Sequence, residues 1–179
     1  MRVHCHRQKD GGRDAGASAV NLAEPLVLRP ATEQDAEDIA RILPDLGYAS
    51  TAAEVRQRMT RLADQPDQML MIAAVADAVI GLCQAQRIYL IASDGYAEVH
   101  ALAVLKQWQG RGVGRALVNA AVQWAQDAGA RRVRLRSGVH REDSHQFYEA
   151  IGFTRQRASY AFEVQLPDPC DESCGTAST

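Results

Sequence analysis

The chain has 179 residues, enough for one domain with a buried core, and its 46% apolar and 23% charged residues are the balance of an ordinary globular protein. A net charge of −2 offers no wide basic field for nucleic acid or an anionic membrane surface, and no apolar run approaches a membrane span. The basic N-terminal residues are not followed by an apolar stretch, so no signal peptide is read there and the cytoplasm is the expected compartment. Residues 1–24 and 167–179 are rich in Gly, Ala, Ser, Asp and Pro without periodicity and read as flexible tails around a domain at 25–166. Of the four cysteines, Cys83 lies in a strand pattern and Cys5, Cys170 and Cys174 lie in the tails, which is no disulfide framework. His4-Cys5-His6 could meet Cys170 and Cys174 around a metal only if both tails were ordered, so no metal is expected.

In chain order, 26–30 (LVLRP) reads as a strand. A helix follows over 32–43, with Thr32 as N-cap and Ala36, Ile39, Ala40 and Leu43 on one face, until Pro44 and Gly47 break it. Thr51 and Glu54 make a capping box for a second helix burying Val55, Met59 and Leu62. Strands at 69–76 and 79–91 flank a turn at Asp77-Ala78, and 93–96 (SDGY) reads as the next turn before a strand at 97–104. A glycine loop then opens a helix with Val113, Leu117, Ala120, Ala121, Trp124 and Ala128 on one face, stopped at Gly129. The strand 131–137 alternates arginines with Val133 and Leu135. A short helix ends on Gly152, and 153–166 completes the sheet. A hairpin followed by strand–helix–strand implies a mixed sheet with helices on both faces.

Three glycines at every second position, Gly110, Gly112 and Gly114, enter the helix and would leave backbone N–H groups free for phosphate. A nucleoside-triphosphate loop is excluded, because no Lys-Ser/Thr follows the glycines. The dinucleotide fingerprint fails too: its third glycine would fall on Arg115 or Leu117, and the loop after Val104 is too long for its tight turn. What fits is Gln109-Gly110-Arg111-Gly112-Val113-Gly114, a Gln/Arg-x-x-Gly-x-Gly/Ala pattern between strand and helix. With AEVHALAV (97–104) before it and FYEAIGF (147–153) after it, the chain resembles the GNAT superfamily of acetyl-CoA-dependent N-acetyltransferases over residues 26 to 164.

That resemblance implies an α/β (α+β) fold: a mixed, mostly antiparallel sheet of six to seven strands, splayed between the fourth and fifth, with helices on both faces. It implies that the amides of Gln109 to Arg115 hold the coenzyme pyrophosphate, and Arg111 and Arg115 are candidates to add charge. Backbone groups of Leu102, Ala103 and Val104 would pair with the pantetheine arm, with an N–H near Leu102 on the thioester carbonyl. Tyr148 resembles the general acid of the family, which protonates the departing thiolate. The family often carries an Asn before the Tyr-bearing helix; here 137–143 (SGVHRED) has none, so Ser137 or backbone would take that contact.

Glu98 and His100, two apart on one strand, project to one face, and either could take the proton of an ammonium. Tyr48, Tyr89 and Tyr96 are candidates to line the acceptor site. His145, one turn before Tyr148, reads as supporting or structural. The arginines of 131–136 suit a subunit interface or an acidic-substrate groove better than nucleic acid. The expectation is direct acetyl transfer from acetyl-CoA to a primary amine of a small molecule, aminoglycoside-like or polyamine-like, by a homodimer with no metal, nucleic-acid or membrane partner. The alternatives are a silent acyl-CoA sensor and a protein or peptide N-acetyltransferase.

Overall fold

The computed structural model describes residues 25–166, so the two tails with Cys5, Cys170 and Cys174 lie outside the described residues. The chain divides into two compact units, one ending at Arg136 and a smaller one beginning at Ser137.

The first unit holds a sheet of order β1-β2-β3-β4-β5. Its strands are β1 (Val27–Pro30), β2 (Gln68–Val75), β3 (Ala78–Leu90), β4 (Ser93–Val104) and β5 (Val133–Leu135). The first four run antiparallel, and β5 is parallel to β4. Helices α1 (Ala36–Ile42) and α2 (Ala52–Ala63) cover one face with Ile39, Ile42, Val55 and Met59 against Ile72, Leu82 and Ala103. Helix α3 (Val113–Asp127) covers the other with Val113, Leu117 and Ala121 against Ile80, Cys83 and Val99. Cys83 is wholly buried there, and burial pushes its thiol up to about 12, which keeps it an inert core residue.

The local signals act as the residue types dictate. Thr51 and Glu54 close their capping box, with the Glu54 carboxylate 2.7 Å from the Thr51 N–H. At α1, the Asp35 carboxylate takes the Thr32 N–H at 2.7 Å and both Arg29 guanidinium nitrogens at 2.7 Å, tying β1 to the helix entry. Those Arg29 hydrogen bonds are the main reason the Asp35 carboxyl is held below the ordinary aspartate value. Asp35→Ala should therefore cost about 2 kcal/mol of unfolding free energy in a urea titration at neutral pH. A depressed carboxyl stabilises above its unfolded pKa and loses that contribution as pH falls through the folded one. The gap between wild type and variant should accordingly narrow as the titration is repeated at progressively lower pH.

Three expectations are corrected. The β2–β3 turn is Ala76-Asp77, one residue earlier than expected, with both residues at positive φ (47° and 66°) between the paired Val75 and Ala78. Alanine seldom adopts that conformation, so the residue type concealed the turn. Ser93–Tyr96 is not a turn but the start of β4, and the chain reverses at Ile91-Ala92 instead. Gly95 sits inside the strand at φ 71°, where a Cβ would collide with the Ile88 carbonyl oxygen. Last, the sheet has five strands rather than six to seven, because 153–166 forms no strand among the described residues. A strand needs a neighbour to take its N–H and C=O groups. Tyr160 and Phe162 are consequently left 91% and 95% exposed.

The second unit contains α4 (Glu142–Ala150), closed at Gly152 with φ 100°.

Candidate active site

Strand β4 builds most of the site in the first unit. Its pairing with β5 covers only Ala97, Glu98 and Val99, while its pairing with β3 continues to Val104. The expected splay between fourth and fifth strands is thus present as an unpaired β4 edge beyond Val99. Leu105 donates its N–H to Ile80 across β3. By strand alternation the N–H and C=O groups of Leu102 and Val104 face away from β3, onto that open edge, while those of Ala103 are used in the sheet.

The open edge leads directly to the glycine loop. The Gln109 side chain donates to the Val104 carbonyl at 2.9 Å, which pins the loop to the strand end. Gly110 and Gly112 take left-handed φ values of 72° and 84°, and Gly112 is the N-cap of α3. The Ala116 N–H returns to the Gly112 carbonyl. The N–H groups of Val113, Gly114 and Arg115 precede the first intrahelical bond and point out of the helix end, where its dipole is positive. Amides so arranged can hold a phosphate such as a coenzyme pyrophosphate. Arg111 lies with its guanidinium 5.1 Å from the Trp108 ring centre, and Arg115 is exposed. Both cations thus sit on the loop's solvent side.

Glu98 and His100 occur on the α1/α2 face of the sheet. Glu98 is 8% exposed, and its carboxylate accepts from Arg136 Nε at 2.9 Å. His100 is exposed, with Nε2 3.2 Å from Gln86 Oε1. With that oxygen as acceptor, the neutral ring donates through Nε2 and keeps Nδ1 as its lone-pair nitrogen. Gln86 is the cross-strand partner of Glu98, so the three side chains share one patch. A bulge at His100 then shifts the strand's phase: Ala101 pairs with Gln84 and Val99 with Ala85.

Of the three tyrosines considered for the acceptor site, only Tyr96 is buried on this face, with the Arg134 guanidinium 4.6 Å from its ring centre. Tyr48 is exposed, and Tyr89 donates to Asp67 at 2.7 Å. Gln86, Arg134 and Arg136 were not picked out individually by sequence reasoning. The available signal was parity: residues 132, 134 and 136 share one side of an alternating strand, but only the parallel register shows that this side is Glu98's.

In the second unit, Tyr148 lies on α4 with its ring 5.2 Å from Phe147 and 6.1 Å from Phe153, both edge-on. His145 Nε2 donates to the Gly138 carbonyl at 3.0 Å, a bond that ties the helix to the loop before it. The Ser137 hydroxyl is buried and has no hydrogen-bond partner among the described residues. Among the described residues no three His, Cys, Asp or Glu side chains gather to hold a metal, and no helix is long and apolar enough to cross a membrane.

Comparisons with known proteins agree with this geometry. The model of the acetyltransferase (GNAT) family matches residues 36–153. An aminoglycoside N(6')-acetyltransferase type 1 of Stenotrophomonas maltophilia is 29% identical over 81% of this chain and 97% of its own length. An uncharacterized N-acetyltransferase of Methanocaldococcus jannaschii is 26% identical over 79% of this chain, which spans 66% of that protein's length. Among solved structures, the aminoglycoside N-acetyltransferase AAC(6')-Iy in complex with CoA superimposes with a TM-score of 0.72, at 16% identity over 82% of this chain and 99% of that one. With the family model spanning most of the chain and the splayed strand and glycine loop in place, the protein belongs to the GNAT family of acetyltransferases.

Proposed function

We propose that this acetyltransferase moves an acetyl group from acetyl-CoA to a primary amine of a small molecule by direct attack, without a covalent acetyl-enzyme. The observation that carries the reading is the run from an open β4 edge into a left-handed glycine loop, with a buried carboxylate on the same strand. The donor's thioester supplies an activated acetyl carbon; the protein must orient it, free the amine of its proton and supply a proton to sulfur.

Each task has a residue. The Leu102 N–H, unused by the sheet, donates to the carbonyl oxygen as negative charge grows there. Glu98 takes the proton of the ammonium, directly or through water, with His100 Nδ1 as the second acceptor on the same patch. The bond from Arg136 holds the Glu98 carboxylate in one orientation until the substrate ammonium competes for it. Tyr148 delivers its phenolic proton to the thiolate as the carbon–sulfur bond breaks. The Ser137 hydroxyl takes the pantetheine contact that an Asn makes elsewhere in the family. The relatives that acetylate aminoglycosides support a small-molecule acceptor. The exposed apolar side chains of Tyr160, Phe162, Val164 and Leu166 support a homodimer.

The test is calorimetric titration with acetyl-CoA, followed by thiol release over an amine panel. Binding with turnover on at least one amine is expected. Binding with no turnover would replace the enzyme by an acyl-CoA sensor, and no binding at all would overturn both.

A further inference from the structure

The charge on the acceptor side of the sheet narrows the substrate class. The Glu98 carboxylate is already matched by Arg136 at 2.9 Å. Arg134 pairs with Glu98 in the β4–β5 register and therefore projects to the same side, where it lies over Tyr96. Arg134 has no carboxylate among its described contacts, and Arg136 is 78% exposed, so both guanidiniums are open to an incoming anion. Next to them, Gln86 and Gln84 follow on β3, and Gln68 lies across from Gln86 on β2, where it lines a cavity of about 190 Å³ under α2. On α1 and its entry, Asp35, Glu37 and Asp38 pair with Arg29, Arg56 and Arg41, and Glu33 accepts from the Thr60 hydroxyl at 3.4 Å.

A surface for a polycation would present several unpaired carboxylates. This one presents two guanidiniums to one carboxylate, bordered by carboxamides that both donate and accept. Resting on the acetyltransferase reading, we propose that the acceptor is a primary amine carrying an oxyanion, a carboxylate or phosphate, on a hydroxyl- or amide-bearing body. The amine lies at Glu98, the oxyanion at Arg134 and Arg136, and the body along Gln86 and Gln84. Polyamines and aminoglycosides are disfavoured by the same charges that hold this acceptor.

Steady-state thiol release by the full chain with acetyl-CoA tests this on matched pairs: glucosamine 6-phosphate against glucosamine, and 4-aminobutyrate against its amide. The oxyanion-bearing member of at least one pair should show a kcat/KM about fivefold or more above its neutral partner, and the pair that shows it tells phosphate from carboxylate. Kanamycin and spermidine should fall below both. Arg134→Gln should collapse the ratio toward one through KM, and Arg134→Lys should restore part of it. Preference for kanamycin or spermidine, or a ratio unchanged in Arg134→Gln, would overturn the inference while leaving the acetyltransferase reading intact. Absence of turnover on every amine would remove both.

Discussion

Gly112→Val should weaken acetyl-CoA binding by at least about tenfold, read by calorimetry, before it affects the chemical step of whatever complex still forms. Gly112 is the N-cap of α3 at φ 84°, a conformation that costs an L-residue about 1–2 kcal/mol and a β-branched one more. The cheapest escape is for the loop to rotate away from positive φ, which turns the N–H groups of Val113 and Gly114 off their common target. Since α3 buries Val113, Leu117 and Ala121 in the core, the helix body should stay in place and the variant should remain folded by circular dichroism. Gly112→Ala should show a smaller loss in the same direction. A folded Gly112→Val with unchanged affinity would take the glycine loop out of the donor site.

Tyr148→Phe should reduce kcat by about 100-fold or more and leave acetyl-CoA affinity nearly as it was. Phenylalanine keeps the ring, and with it the edge contacts to Phe147 and Phe153, so packing changes little. The hydroxyl that is removed is the proposed proton source. A phenol can pass its proton to a departing thiolate. Steady-state kinetics paired with a binding isotherm separates the two effects. Turnover equal to wild type would remove Tyr148 from the acid role and leave water to protonate sulfur.

Much of this could be read from the chain because it is local. The Thr51–Glu54 box, the face of α3 and the Gln109–Gly114 loop each depend on neighbours within a few residues, so residue type and spacing determine them. The positive φ of Ala76 went unseen because the tertiary structure imposes it on a residue that does not prefer it. The Glu98–Arg136 pair is another kind of omission. Its partners are separated by the loop and all of α3, and only the parallel register of Glu98 with Arg134 brings them together. Likewise, 153–166 was expected to complete the sheet, but a strand depends on a neighbour that its own residues do not specify.

The bulge at His100 works as a change of reading frame in the middle of β4. Upstream of it, even-numbered residues look toward α1 and α2, which is how Glu98 comes to lie beside Gln86 and Arg136. Downstream, the odd-numbered Ala101 and Ala103 look that way, and the even-numbered Leu102 and Val104 turn toward α3 with their amides on the open edge. Were the frame unbroken, Glu98, Leu102 and Val104 would all share one phase. The amides now facing the gap would be consumed by β3, and two bulky side chains would be driven into the space under α1 where alanines now fit. On the proposed function, one extra residue lets a single strand address two substrates, offering side chains to the acceptor in one phase and bare backbone to the donor in the other.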